Sequence, residues 1–339
     1  MSELKSAVLV DAYSQIFRVF YAIRALSRAD GFPTNALFGM ARLLMQLENE
    51  LAPAAGAFFF DCGKPAFRLE LAPEYKSNRP PMPEDLQKQM PVLREMIGLF
   101  GWNVCQCTNY EADDLIGAAV KNLPERSFAI ISSDKDLSQL IDGKTCMLVP
   151  ARSGGGFEKR GVEETIAKFS VTPSQIIDYL SLLGDASDVI PGVAGIGPKT
   201  AAGILQSCGS LAEFFAAPER LANAKQREKL LAAREQLERN QKLVALRTAW
   251  PEELKTPAQV LVKRAPDWQK IAELARDYEL KSVLRDLPVK IELSAPVEKS
   301  PAAEKAPADD LFAWTAAAEK APEKAPEKTE SRPEQGSLF

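Results

Sequence analysis

The chain has 339 residues, 46% of them hydrophobic and 26% charged, which is enough for more than one core and ordinary for a water-soluble protein. It carries 42 Lys and Arg against 46 Asp and Glu, a net charge of −4, and no histidine. The lack of histidine excludes Ser-His-Asp and Cys-His nucleophilic schemes, histidine-ligated zinc and imidazole bases, leaving carboxylates, lysines and metal-bound water to do any chemistry.

Residues 7–11 read as a short buried strand with Asp11 at its exit. Helical spacing of apolar residues follows over 14–26 and 34–47, around the Gly31-Phe32-Pro33 turn. A second buried strand, 56–60, ends at Asp61. The stretch 62–100 is a long connection broken by Pro80, Pro81 and Pro83, although 84–100 again has helical spacing. Strand-like 102–106, a helix beginning near Ala112, and strands over 128–132 and 146–149 complete an alternating pattern. That alternation predicts an α/β fold, a parallel sheet with helices on both faces.

From Thr172 the spacing is helical only, over 173–183, 199–206, 211–215 and 225–246. Residues 267–289 supply a last helix and a strand-like piece expected to pack back on this helical part. The predicted division is therefore 1–170 as an α/β domain and 171–290 as a helical subdomain. Residues 291–334, rich in Ala, Pro, Glu and Lys with a repeated Glu-Lys-Ala-Pro, are expected to be a disordered linker. The five cysteines, at 62, 105, 107, 146 and 208, have no metal-ligand spacing and read as reduced thiols. No leader or membrane-spanning run is apparent, which predicts a cytoplasmic protein.

Acids mark the ends of these elements. Asp11 and Asp61 follow strands, as do Asp134 and Asp136 in Ser-Ser-Asp-Lys-Asp. Glu111, Asp113 and Asp114 occupy a first helical turn, and Asp185 and Asp188 lie in Gly-Asp-Ala-Ser-Asp. In an open parallel sheet the carboxyl ends of the strands share one edge, so all nine are expected to converge. Carboxylates crowded together raise one another's pKa unless cations join them, and oxygen-only donors suit two Mg²⁺ or Mn²⁺ ions. Residues 1–290 carry 36 acids and 36 bases. Setting the nine acids aside leaves a surplus of about nine positive charges for phosphates elsewhere.

Seven motifs stand in order: Val-Asp-Ala; Phe-Asp-Cys-Gly-Lys-Pro-Ala-Phe-Arg; Tyr-Lys-Ser-Asn-Arg-Pro; Tyr-Glu-Ala-Asp-Asp; Ser-Asp-Lys-Asp; Leu-Gly-Asp-Ala-Ser-Asp; and Gly-Val-Ala-Gly-Ile-Gly-Pro-Lys-Thr-Ala. Together they resemble the bacterial and phage 5′→3′ exonuclease (flap endonuclease) family, which includes the N-terminal domain of bacterial DNA polymerase I. The resemblance spans about the first 290 residues. It implies a PIN-like flap-nuclease sheet with an arch over about 62–100, a helix-hairpin-helix at 190–206 in a DNA-binding subdomain, and two-metal phosphodiester hydrolysis. It assigns Asp11, Asp61, Glu111, Asp113, Asp114, Asp134, Asp136, Asp185 and Asp188 to the metals.

Lys76 and Arg79 would reach the scissile phosphate, sharing one face if their stretch is helical, and Tyr75 would stack on a terminal base. Gly195, Gly197, Lys199 and Thr200 would meet a duplex phosphate, with K⁺ on the hairpin carbonyls. The implied substrate is double-stranded DNA with a 5′ flap or RNA primer, cut by a nucleoid-associated monomer during replication and repair. Gln335-Gly-Ser-Leu-Phe resembles a sliding-clamp peptide, in which Leu338 and Phe339 would fill an apolar pocket and Gln335 bond at its rim. One departure stands out: the family commonly has Asn where this chain has Val189, which puts a supporting hydrogen bond in doubt. A non-catalytic clamp-tethered scaffold and a PIN-type ribonuclease are the alternatives. A haloacid-dehalogenase phosphatase is disfavoured because Asp11 is followed by Ala12 and Tyr13 and lacks an acid two residues on.

Overall fold

The computed structural model describes residues 6–151 and 156–291. The predicted linker beyond residue 291 and the terminal peptide with Gln335, Leu338 and Phe339 lie outside the described residues. The apolar runs become β1 (Ala7–Asp11), β2 (Gly56–Phe59), β3 (Asn103–Cys105) and β4 (Phe128–Ile131), with β5 (Thr145–Pro150) and β6 (Phe157–Arg160) after them. They form one sheet in the order β3-β2-β1-β4-β5-β6. Strands β1 to β5 are parallel, and β6 returns antiparallel on β5, a hairpin the sequence did not suggest. The chain winds outward from β1 to β3 and then crosses back to lay β4 on the other flank of β1. This reversal opens a crevice at the carboxyl ends of β1 and β4, where open α/β sheets hold ligands.

Successive strand residues face opposite sides, so each buried strand feeds two cores. Val8, Val10, Phe58, Phe60, Ala129 and Ile131 meet α1 (Ala12–Ala22), α2 (Asn35–Gln46) and, beyond the short α3 (Ala66–Leu71), α4 (Glu84–Leu99). Ala7, Leu9, Ala57, Phe59, Phe128 and Ile130 meet α5 (Ala112–Asn122) on the other face. Burial on both sides explains why the strands read as unbroken apolar runs rather than alternating ones. The stretch 62–100 is only partly a loop. Helix α4 buries Leu86, Met90, Leu93, Met96 and Ile97 in the sheet's core, and residues 79–83, with their prolines, stay irregular.

A separate core is built by α6 (Val162–Phe169), α7 (Ile176–Leu183), the two-residue strands β7 (Gly184–Asp185) and β8 (Ile190–Pro191), α8 (Pro198–Cys208) and α9 (Leu211–Ala216). The charged stretch expected as one helix is two, α10 (Ala224–Ala232) and α11 (Arg234–Val244), divided at Ala233 where ψ turns to 10°.

The C-terminal part corrects an expectation. After the short α12 (Pro257–Val260), residues 268–285 form α13 (Trp268–Asp277) and α14 (Lys281–Arg285), with no strand. Ile271, Leu274, Ala275, Leu280 and Val283 join Met96 and Phe100 in the core beneath α2 and α4, not the helical core. Two backbone bonds, Arg264 N to Gly101 O at 2.9 Å and Asp267 N to Leu99 O at 2.8 Å, tie this segment to the end of α4. The approach needs a glycine: Gly101 has φ +83°, and a Cβ there would lie 2.1 Å from Arg264 O. Asn103 Nδ2 donates to Val260 O and Val262 O, at 2.8 and 2.9 Å, covering the edge strand β3. Among the described residues no helix is long and apolar enough to cross a membrane.

Candidate active site

The acids at the sheet's carboxyl edge are locked together by short hydrogen bonds across neighbouring strands. Asp11 ends β1 and caps α1, accepting Ser14 N at 3.1 Å. Its other oxygen accepts the Ser132 hydroxyl at 2.8 Å, just past β4. Ser132 Oγ in turn accepts Asp134 N at 3.0 Å, and Asp134 Oδ1 accepts Asp136 N at 2.9 Å. Asp61, beyond β2, accepts the Ala112 amide at 2.7 Å and so holds the start of α5, with Asp113 in its first turn, at the same edge.

The nine predicted acids fall into distinct electrostatic groups. Asp11, Asp61, Asp113 and Asp134 face one another: burial raises the Asp11 carboxyl to about 7, helped by Asp61 and then Asp134. Burial likewise pushes Asp113 well above the usual carboxylate range, with Asp134, Asp11 and Asp61 adding to it. Asp136 also rises to about 7 through burial and the neighbouring Asp134. Lys135 lies 3.6 Å from Asp136 and ion-pairs with Asp185. That pairing, with Ser187, outweighs the burial of Asp185 and lowers its pKa.

A second set of cations rises from residues 75–79. Lys76 Nζ lies 2.7 Å from Glu111 and 3.9 Å from Asp188, and Arg79 lies 2.6 Å from Asp188. Burial opposes the charged form of Lys76, but Glu111, Tyr75 and Asp188 outweigh it and raise its pKa. Lys76 and Arg79 do not share a helical face. Their segment is a turn in which Lys76 takes φ +54°, and its amide donates to Asp188 O at 3.1 Å. Both cations therefore stand over the acids from outside the sheet.

Two of the predicted residues face inward. Asp114 is fully buried and turned into the protein, with Arg68 in a bidentate pair at 2.7 and 2.9 Å and Arg247 N at 3.0 Å. Both of its oxygens accept protein donors, in contrast to those of Asp113 beside it. Tyr75 is 3% exposed, and its hydroxyl donates to Glu111 Oε2 at 3.0 Å, so its ring is not free to stack on a base. Arg68, to which the sequence assigned no role although it closes the Phe-Asp-Cys-Gly-Lys-Pro-Ala-Phe-Arg motif, is the hub. It also bonds Glu111 at 3.0 Å and Leu243 O at 3.1 Å.

Among the described residues no three acids, cysteines or histidines stand in a ready-made chelating arrangement. The donor chemistry nonetheless fits hard divalent cations. Asp11 is buried and Asp113 and Asp136 are half-buried, protein cations do not balance these carboxylates, and all their donor atoms are oxygen.

The helical core presents the predicted hairpin beside this edge. Val193 N donates to Leu182 O at 2.9 Å and Ala201 N to Gly197 O at 2.9 Å, so the 192–197 turn links α7 to α8. Gly195, Gly197 and Lys199 are exposed and Thr200 half-buried. The hairpin carbonyls of Pro191, Gly192 and Ala194 accept Gln236, Asn240 and Lys229, with Lys229 Nζ on Ala194 O at 3.0 Å.

A parallel sheet with an acid-lined carboxyl edge, joined to a helical hairpin layer, is a flap-nuclease fold. The D15 protein of bacteriophage T5, crystallised with metal ions, has it: TM-score 0.60, 21% identity, 81% of this chain and 98% of that one. So does the catalytic core of Rad2 in complex with a DNA substrate, with TM-score 0.57 and 17% identity over 83% of this chain and 92% of that one. Residues 6–169 match the family model of the 5′-3′ exonuclease N-terminal resolvase-like domain, and 171–269 that of its C-terminal SAM fold. A 5′-3′ exonuclease of Aquifex aeolicus is 35% identical over 286 residues, covering 84% of this chain and 96% of the relative. DNA polymerase I of Bacillus subtilis is 36% identical over 256 residues, 75% of this chain but 29% of the polymerase. The chain belongs to the 5′-3′ exonuclease family, whose members are phosphodiester hydrolases.

The Val189 departure has a backbone reading. Val189 has φ +59°, a left-handed conformation that Asn tolerates and a β-branched residue does not. Val189→Asn is expected to stabilise the fold by about 1 kcal/mol, raising the melting temperature by about 2–4 °C in calorimetry. A fall in melting temperature would show that packing of the valine outweighs its strain.

Proposed function

We propose that this protein cleaves 5′ ends and 5′ flaps of double-stranded DNA, including RNA-primed ends, choosing substrates by structure rather than sequence. The observation that carries this reading is the set of eight acids at the crevice, of which Asp11, Asp113 and Asp136 are left under-neutralised by protein cations. Two Mg²⁺ or Mn²⁺ ions held by Asp11, Asp61, Asp113, Asp134, Asp136 and Asp185 would supply a nucleophilic hydroxide at neutral pH and neutralise the developing charge on phosphate. Lys76 and Arg79 meet the scissile phosphate from the opposite side. They exchange their carboxylate partners Glu111 and Asp188 for phosphate oxygens as charge builds there. Glu111 and Asp188 thus hold these cations in waiting, which fits them better as positioning acids than as metal ligands.

The hairpin amides at Gly195 and Gly197 and the charge of Lys199 hold the duplex through its backbone, independent of sequence. A potassium ion on the hairpin remains part of the proposal, although Lys229 already brings an ammonium to Ala194 O. Clamp association through Gln335, Leu338 and Phe339 rests on the sequence alone. The test is a labelled 5′-flapped duplex incubated with Mg²⁺ or with EDTA. Metal-dependent release of the flap is expected; tight binding without cleavage would instead favour a clamp-tethered scaffold.

A further inference from the structure

Two arginines beside the crevice hold acidic partners, and Arg94 does not. Arg68 pairs with Glu111 and Asp114, and Arg79 with Asp188. Arg94, half-buried on α4, has no carboxylate partner among the described residues, and its buried Nε has no hydrogen-bond partner there. Its guanidinium stacks 4.0 Å above the Phe60 ring, and Phe60 makes an edge contact with Tyr13 at 5.4 Å. Phe60 immediately precedes Asp61, and Tyr13 lies two residues beyond Asp11. The cation is thus held by two aromatic residues that neighbour crevice acids in the chain, with the Tyr13 hydroxyl as its polar partner rather than a carboxylate. Burial lowers its pKa, as expected of a charge that lost water without gaining a counterion.

Such a charge is costly to keep unless an anion arrives in the working complex. An arginine locked flat on an aromatic ring presents its remaining N–H groups as a fixed fork, the geometry that suits a phosphate diester. We propose that Arg94 binds a backbone phosphate of the cleaved strand flanking the scissile one, and that Phe60 and Tyr13 fix its orientation. The inference rests on the DNA-cleaving reading above. It makes Arg94, on α4, a substrate-binding residue in addition to Lys76 and Arg79.

The test pairs Arg94→Gln and Arg94→Lys with 5′-flap substrates carrying a single neutral methylphosphonate, placed in turn at each phosphate around the scissile one. Wild-type and variants are compared by kcat/KM and by melting temperature. Arg94→Gln is expected to lose about 10- to 100-fold in kcat/KM on the all-phosphate substrate. One methylphosphonate position should lower the wild-type rate similarly yet leave Arg94→Gln unaffected, and Arg94→Lys should recover part of the loss. Gln can still meet the Tyr13 hydroxyl that Arg94 bonds, so the melting temperature should change little. Equal losses in wild-type and Arg94→Gln at every position, or a rate loss accompanied by a lowered melting temperature, would overturn the assignment. Absence of wild-type cleavage would instead sink the nuclease reading itself.

Discussion

Asp113→Asn is expected to abolish cleavage, by about a thousandfold or more, while leaving duplex binding nearly intact. The loss corresponds to several kcal/mol of transition-state charge stabilisation at about 1.4 kcal/mol per tenfold. The same variant should make the metal-free fold more stable at pH 8. Asp113 is pushed well above the usual carboxylate range, first by burial and then by Asp134, Asp11 and Asp61, so its charged form opposes folding. Asp11 and Asp136 are raised to about 7 and behave alike. For such groups the folded state binds protons more tightly than the unfolded chain. Their contribution is fully present below the unfolded carboxylate pKa and is lost as pH rises through the folded one.

Melting temperature of the metal-free protein should therefore fall between about pH 4 and pH 7 on account of these groups, less steeply in Asp113→Asn. Added Mg²⁺ should raise it more at pH 8 than at pH 5.5, because a cation favours the charged carboxylates. A matched loss of cleavage, duplex binding and stability in Asp113→Asn would mean that the acid supports the fold instead.

Arg68→Met is expected to be the most destabilising single change, by about 3–5 kcal/mol. The guanidinium is 2% exposed and neutralises Asp114, which is fully buried, together with Glu111. Removing it leaves two buried carboxylates without their fork and frees Leu243 O on α11, so the link between the sheet and the helical core loosens. Urea unfolding should show the loss, and Arg68→Lys should recover little of it, since an ammonium cannot reproduce the bidentate geometry. Combining Arg68→Met with Asp114→Leu should recover a part, because the orphaned charge goes with it. Wild-type stability in Arg68→Met would mean that water reaches this site and screens it.

Much of this architecture was legible because its signals are local. The strands at 7–11, 56–59 and 128–131 announce themselves as apolar runs, and each ends within a few residues of an acid. The hairpin Gly-Val-Ala-Gly-Ile-Gly-Pro-Lys-Thr reads as a turn into a helix because Pro198 sits at its first position. Less legible were the short α3, the β6 return and the destination of residues 268–285. An amphipathic stripe such as Ile271, Leu274 and Ala275 states that a face will be buried, not against what.

The sequence by itself determined that acids would gather at one sheet edge, since strand ends in a parallel sheet share a side and strand and helix periods are set by neighbouring residues. Only the tertiary structure decided which of those acids remain available. Asp113 and Asp114 are adjacent, yet one faces Asp11, Asp61 and Asp134 while the other is sequestered by Arg68, 46 positions away. Tyr75, Lys76 and Arg79 found Glu111 and Asp188 in the same way. Coulomb and hydrogen-bond partners so far apart along the chain meet only after the cores have packed, and a helical turn of about 100° per residue separates what one position in the sequence cannot.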